Sequence, residues 1–349
     1  GPAWSGICIT LPWQVYLQYG DTRLLEESYP TMQRWLTFLE TKVEDGILAP
    51  HTGIGNPDSP QWAFLGDWVP PGRKQGKDRV DDRSTLFFNN CYYVYCLQLT
   101  SKIAAVLGKE SEAKAYEEQA NALAERLHKR FLNEDGVTYV NGEQPYLAMP
   151  LLFGITPEPL RDDVMKALRD DILITQKGHL NTGMHGTYFM TRYLTDTDQN
   201  DLIYSIVSKK TFPSWGYMLE NGATTIWEEW DGDNSHIHDT LLSVGMWFIQ
   251  GAAGILYDPE HPGFKHIIIR PAVVGDLTHA TGAYDSLYGK IESKWQRDNN
   301  EVSYQITIPP NTTASIMLAA DDPATIMMDN KPLQNNSDAS GIHVEGSRV

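Results

Sequence analysis

Between Trp215 and His238 the chain reads Trp-Gly-Tyr-Met-Leu-Glu-Asn-Gly-Ala-Thr-Thr-Ile-Trp-Glu-Glu-Trp-Asp-Gly-Asp-Asn-Ser-His-Ile-His, crowding carboxylates, indoles and imidazoles into one short stretch. Cleaving a glycosidic bond with inversion takes one carboxylate to activate water and a second carboxyl to protonate the departing oxygen. Flat aromatic faces hold the apolar side of the sugar ring. Glu228, between Trp227 and Trp230, is the natural candidate for a catalytic carboxylate.

The same residues also admit plainer readings. Thr224 and Thr225 are able to cap a following turn, which would make Glu228 and Glu229 first-turn acids favoured by a helix dipole and put Trp227 and Trp230 on one face. His238 is a partner for a sugar hydroxyl, a metal ligand, or a polar residue at a helix start. His236 and His238 are two positions apart, a spacing that sends helical side chains in different directions, and no cysteine lies near them in sequence. No metal site is expected there. Upstream, Gly66-Asp67-Trp68 joins a bidentate acceptor to an indole, which either grips vicinal hydroxyls and stacks on a sugar or forms a turn whose Trp plugs the core. Trp4 faces the same choice. No phosphate loop, dinucleotide glycine pattern, zinc signature or nucleophile elbow is present, so no cofactor is expected.

These candidates need a scaffold, and up to about Tyr257 the pattern is helical. Thr22 to Val43 carries Leu24, Leu25, Met32, Trp35, Leu36 and Leu39 at helical spacing. Arg83 to Leu107 and Ser111 to Phe131 look like an antiparallel pair. Gln144 to Phe153, Glu158 to Asp171, Thr182 to Leu194, Gln199 to Val207 and Asp239 to Leu256 continue the series across Gly, Pro and Asp turns. With Ile7 to Tyr16 this makes about nine helices, which suggests a toroid of inner and outer helices more than a compact bundle. The connection from Glu44 to Asp82 is long for a plain linker and reads as either functional or disordered; Pro57, Pro60, Pro70 and Pro71 with Trp62, Asp67 and Trp68 favour a shaped rim.

From Gly263 the period shortens to that of strands: His266 to Arg270, Lys290 to Trp295, Val302 to Ile308, Ala314 to Leu318 and Thr325 to Met328. Turn pairs at Asn299-Asn300 and Asp329-Asn330 fit an antiparallel β-sandwich. Two domains are expected, a helical one over residues 1–258 and a β-sandwich over residues 259–349.

Composition narrows the partners. A formal charge of −17 leaves no footprint for nucleic acid or an anionic membrane surface, and favours a neutral or cationic ligand. Cys8, Cys91 and Cys96 make no disulfide framework, and Cys91 and Cys96 read as core thiols. No apolar run has the length of a membrane span, so a soluble protein is expected; no signal peptide is visible and the compartment stays open, as does the oligomeric state. Patterned sequence begins at once, as if the chain were cut from something longer.

The stretch from Trp215 to Asp231 closely resembles the signature of the inverting α-L-rhamnosidases, glycoside hydrolase family 78. Pro2-Ala3-Trp4-Ser5-Gly6 with Pro12-Trp13, Tyr19-Gly20-Asp21, Gly66-Asp67-Trp68, and Gly178-His179-Leu180-Asn181-Thr182-Gly183 match as well. So do Phe264 to Pro271, Gly289 to Trp295 and Ile308 to Ala314, which look like the sandwich that follows the catalytic barrel in that family. The resemblance implies an (α/α)6 barrel, incomplete at its N-terminus against a full set of twelve helices, followed by that C-terminal antiparallel β-sandwich. It also implies a rhamnose-containing glycoside as substrate, with Glu228 as general base and Trp4, Asp67, Trp68, Trp227 and His238 lining the sugar pocket. In the family the general acid lies upstream of the Ala-Trp-Ser segment, and the charged run Lys77 to Arg83 does not substitute for it. Gly6 stands where the family commonly has Asp, and Glu229 where it often has Arg. The competing expectation is a carbohydrate-binding pseudoenzyme without turnover; a polysaccharide lyase on the same fold is disfavoured by the acidic charge.

Overall fold

The structure, a computed structural model, describes residues 1–50, 64–72, 82–239, 241–299, 301–320, 322–329 and 331–333. Pro57, Pro60, Trp62 and most of the charged run from Lys77 lie outside the described residues, as do Asn300 and Asn330 of the two turn pairs. The described residues divide into two compact units, one of residues 1–16 and 21–244, the other of residues 17–20 and 245–349.

In the first unit the helices sort by how many of their faces are apolar. Helices α1 (Pro2–Ser5), α2 (Ile7–Tyr19) and α3 (Arg23–Glu40) precede a short hairpin of β1 (Val43–Glu44) and β2 (Ile47–Leu48). Then come α4 (Asp82–Val106), α5 (Glu110–Phe131), α6 (Gln144–Leu152), α7 (Arg161–Asp170), α8 (Met184–Asp196), α9 (Asn200–Val207) and α10 (Trp215–Glu220). Helix α6 is buried from Gln144 through Leu151, and α4 and α8 bury most of their length. By contrast α5 buries only the stripe Ala113, Ala120, Leu123, Ala124, Leu127 and Phe131. Its first turn carries Glu110 and Glu112 and its last His128, Lys129 and Arg130, charges that match the helix dipole. Helices α4 and α5, α6 and α7, and α8 and α9 pack as hairpins, while α6 touches both α4 and α8. Buried helices form the inner layer and one-faced helices the outer, as an (α/α)6 arrangement requires.

Inner helices also carry buried amides that fasten loops. Asn90 of α4 exchanges two hydrogen bonds with the Leu48 backbone, at 2.8 and 2.9 Å, and Asn89 donates to the Leu65 carbonyl at 2.8 Å. Gln144 of α6 donates to His179 O at 3.0 Å and accepts from Asn181 N at 2.9 Å. The two segments held this way, around residues 65 and 180, meet at the start of α8. Cys91 and Cys96 are buried in α4. No helix among the described residues is long and apolar enough to cross a membrane.

Several elements differ from the sequence expectation. The stretch Asp239 to Leu256 is not one helix. Helix α11 (Ser243–Trp247) passes into a π-helical turn over Phe248–Ala252, and Leu256 lies in strand β3 (Ile255–Tyr257). The break falls at Gly254, which has φ +76° and where a Cβ would come within 2.2 Å of Pro271 N. Residues Glu158 to Asp171 form a 3-10 turn, α7 and a π-helical turn that runs on to Thr175.

In the second unit, β3 pairs antiparallel with β4 (His266–Ile269), and β5 (His279–Ser286), β6 (Gly289–Asp298) and β7 (Glu301–Thr307) form an antiparallel meander. Strand β8 (Thr313–Ile316) joins the other side of β4 in parallel, an exception to the expected antiparallel order; the chain crosses to the meander and back before β8. A last pair, β9 (Met327–Met328) and β10 (Lys331–Pro332), follows. Ile255, Ile267 and Ile269 from one sheet meet Ile291 from the other around Phe264, with Tyr284 and Ile306 alongside. Ile291→Ala removes a fully buried branched side chain from this core. It is expected to cost about 2–5 kcal/mol in denaturant unfolding of the second unit, and a loss under about 1 kcal/mol would contradict the packing described.

Candidate active site

The first four N–H groups of a helix have no partner within it. At α8 all of the N–H groups of Gly183, Met184, His185 and Gly186 are satisfied by a single two-residue segment. Asp67 accepts from Gly183 N at 2.7 Å, His185 N at 3.0 Å and Gly186 N at 2.9 Å, and the Trp68 carbonyl accepts from Met184 N at 2.7 Å. Asp67 is 5% exposed. Glycine is needed at both ends of this clamp. A Cβ at Gly183 would sit 2.0 Å from Trp68 O, and one at Gly186 would sit 2.3 Å from an Asp67 carboxylate oxygen. Asp67 therefore acts as the cap of α8 from a distant loop, and its oxygens are directed at backbone.

Capping holds Trp68 beside Trp4. Their rings meet edge to face with centroids 6.2 Å apart, and Trp4 meets His185 the same way at 4.8 Å. Both indoles are only partly buried. His185 also faces Phe88 and Tyr92, and burial lowers its pKa to about 4, so it is a neutral imidazole whose Nε2 has no hydrogen-bond partner among the described residues. Gly6 is buried next to this aromatic group, and a Cβ there would lie 2.8 Å from Tyr92 and 3.0 Å from Cys96 Sγ. Local packing thus leaves no room for a side chain at Gly6, the position where the resemblance led an Asp to be expected.

The Glu228 region is a loop, and the first-turn reading of Glu228 and Glu229 does not hold. Its two limbs run side by side: His238 N donates to Ile226 O at 3.0 Å, and Glu228 N donates to Ser235 O at 2.8 Å. A hydrogen bond from Thr225 Oγ1 to His236 O adds a third rung. The turn between them uses Gly232 at φ +86° and Asn234 at φ +63°. His236, bonded to Gly232 O at 2.7 Å, stacks on Trp227 at 4.8 Å. Trp227 is accordingly 5% exposed, with one face covered from within its own loop.

Trp230 anchors the loop to the rest of the site. Its indole N–H donates to Thr182 O at 3.0 Å, one residue before the Gly183 amide that Asp67 receives, and its ring packs against Trp215 at 5.5 Å. Trp215 in turn donates to Leu241 O at 2.9 Å. Segment 182–186 is thus the common attachment of the Asp67–Trp68 loop and the Glu228 loop.

Glu228 is partly exposed; its Oε2 accepts from Ser235 N at 3.4 Å. Glu229, buried at 5% exposure, accepts from Asn234 at 2.5 Å. Burial raises its pKa, with Asp231, Asp233 and Glu228 pushing in the same direction against the Asn234 bond. His238 is partly buried, with Nδ1 3.2 Å from Asp239. The geometry brings Asp67, Trp68 and Trp4 together around α8 and ties the loop of Trp227, Glu228 and His238 to the same segment. His185, Gly186 and Ser235 take part without having been singled out in the sequence, whereas Thr182 lies in the Gly178 to Gly183 motif of the resemblance; the Gly183-x-x-Gly186 spacing at a helix start was the available signal.

Residues 1–252 match the model of the bacterial alpha-L-rhamnosidase 6 hairpin glycosidase domain, and residues 254–331 that of the bacterial alpha-L-rhamnosidase C-terminal domain. An alpha-L-rhamnosidase of Streptomyces avermitilis is 30% identical over 99% of this chain and 32% of its own length, and one from Formosa agariphila is 28% identical over 99% and 37%. Among solved structures, the alpha-L-rhamnosidase from Dictyoglumus thermophilum superposes with a TM-score of 0.82 at 34% identity, covering 92% of this chain and 35% of that one. The Streptomyces avermitilis enzyme complexed with L-rhamnose gives 0.78 at 28%, covering 93% and 31%. The chain spans about a third of the length of the relatives it matches.

Burial pushes the Asp67 carboxyl up to about 6 against the pull of the Gly186, Gly183 and His185 amides. With an unfolded value near 3.9, the folded state holds an extra proton between about pH 4 and 6. This contribution to stability is therefore full below about pH 4 and lost as pH rises through 6. Asp67→Asn abolishes it, so the gap in melting temperature between wild type and variant should shift against the wild type across that window and level off above it. A gap independent of pH would contradict the assignment.

Proposed function

We infer, from the premise that the chain belongs to the bacterial α-L-rhamnosidase family, that it takes part in hydrolysing terminal α-L-rhamnosides with inversion of configuration. Glu228 is the general base. It takes a proton from water as that water attacks the anomeric carbon on the face opposite the leaving oxygen. Trp4 and Trp68 offer apolar surface to the sugar, His238 a polar contact, and Trp227 and Asp67 set the positions of the loops that carry the others. The acid that protonates the leaving oxygen is not assigned among the described residues. In an inverting reaction it would stand roughly 6.5–9.5 Å from the base, with the water between them.

One observation carries this reading most strongly: the Trp230 indole bonded to Thr182 O, next to the amide held by Asp67. Through it the partly exposed Glu228 and the partly exposed Trp4 and Trp68 belong to one braced assembly, which is what a base and a sugar platform need.

An aryl α-L-rhamnoside tests the proposal. Glu228→Gln is expected to lower kcat by about 10²–10⁴-fold while leaving rhamnose-induced quenching of tryptophan fluorescence in place. Proton NMR of the wild-type reaction should show the β-anomer of rhamnose first. Equal turnover by wild type and variant, or the α-anomer first, would refute it. Binding without turnover in both would favour a carbohydrate-binding protein instead.

A further inference from the structure

The second unit holds a cluster of metal-ligating side chains that the proposed reaction does not use. Asp258 follows β3, His261 lies in the turn after it, and His266 opens β4, so the hairpin folds three donors onto one spot. Asp258 Oδ2 is 2.8 Å from Nδ1 of His261 and 2.8 Å from Nδ1 of His266, and the three donor atoms lie within 4.8 Å of one another. The other carboxylate oxygen accepts from Glu260 N at 2.9 Å, which fixes the orientation of the group. Burial works against its charge, but the bonds from His261, Glu260 N and His266 outweigh it and hold the carboxyl below the usual range.

We propose that Asp258, His261 and His266 bind a first-row divalent metal ion, with zinc the best fit, at the β3–β4 turn. Two imidazoles and one carboxylate suit zinc, whereas magnesium and calcium prefer all-oxygen sites. Zinc–ligand bonds of about 2.0–2.2 Å place tetrahedral neighbours about 3.3–3.5 Å apart, so the oxygen and nitrogens must part slightly from their present 2.8 Å. His261, with a side chain 61% exposed, has solvent on one side into which it can shift by that amount. Each imidazole now directs Nδ1 at the carboxylate; when Nδ1 takes the metal, its proton resides on Nε2 instead. For His266 an acceptor is in place, because Nε2 lies 3.1 Å from Ser315 Oγ on the neighbouring strand β8. Such an outer hydrogen bond is the usual support of a metal-bound histidine. The ion would staple the turn to the first sheet, and this inference does not depend on the reaction proposed for Glu228.

Calorimetric titration of tag-free protein with Zn²⁺ near neutral pH tests it. One equivalent should bind, Mg²⁺ should not compete, and Co²⁺ should give the visible absorption of a tetrahedral site. His261→Ala, at a position with a largely exposed side chain, should weaken binding by at least about tenfold, and Ser315→Ala by about tenfold. Absence of saturable Zn²⁺ binding to the wild type, or affinity unchanged in both His261→Ala and His266→Ala, would overturn the proposal.

Discussion

A buried carboxylate placed against the bare N-terminus of a helix is the interaction on which the candidate site rests. Asp67 receives three of the orphan N–H groups of α8 and the adjacent Trp68 carbonyl receives the fourth. Burying a charge is costly, and burial still raises the Asp67 pKa; several short hydrogen bonds and the helix dipole offset part of that cost and set the position of the carboxyl group. That position fixes Trp68, and Trp68 sets the edge-to-face contact with Trp4. The loops on either side reach it because Asn89 and Gln144, from two inner helices, hold their backbones.

The same segment then bears the loop with the proposed base. Trp230 spends its one donor on Thr182 O, while the paired limbs of 225–238 and the His236–Trp227 stack keep the loop in shape. Glu229 and Glu228 are neighbours with opposite environments. Glu229 is buried and bonded to Asn234, while Glu228 is only partly buried and accepts from Ser235 N. At the position where the resemblance led an Arg to be expected, this chain has an acid with its own local partner, Asn234.

Helical and strand periodicity made most of the architecture legible. The stripes of α3 and α5 and the alternation of β6 and β7 follow directly from spacing. What escaped were the places where tertiary contacts override period: the end of α11, broken where Gly254 meets Pro271, and the parallel seat of β8, which depends on a strand distant in sequence. At the site, residue types singled out Glu228, Trp68 and His238, but a pattern of indoles and acids does not say which are open and which are bolts. Trp227 and Asp67 are the clearest cases, both buried and turned toward protein. His185 went unremarked because one histidine at a helix start has no signature, and the Asp258 cluster because its three donors converge only when the hairpin closes.

Amide hydrogen exchange in an Asp67→Ala variant tests most directly whether this cap organises the site. Loss of the carboxylate should speed exchange at Gly183, His185 and Gly186 and, through Thr182 and Trp230, at Glu228 and His238 in the loop over 225–238, while the amides of β5–β7 exchange as in the wild type. Unchanged protection in the loop despite exposure of the α8 amides would contradict the account, since the base and the aromatic platform would then be held independently.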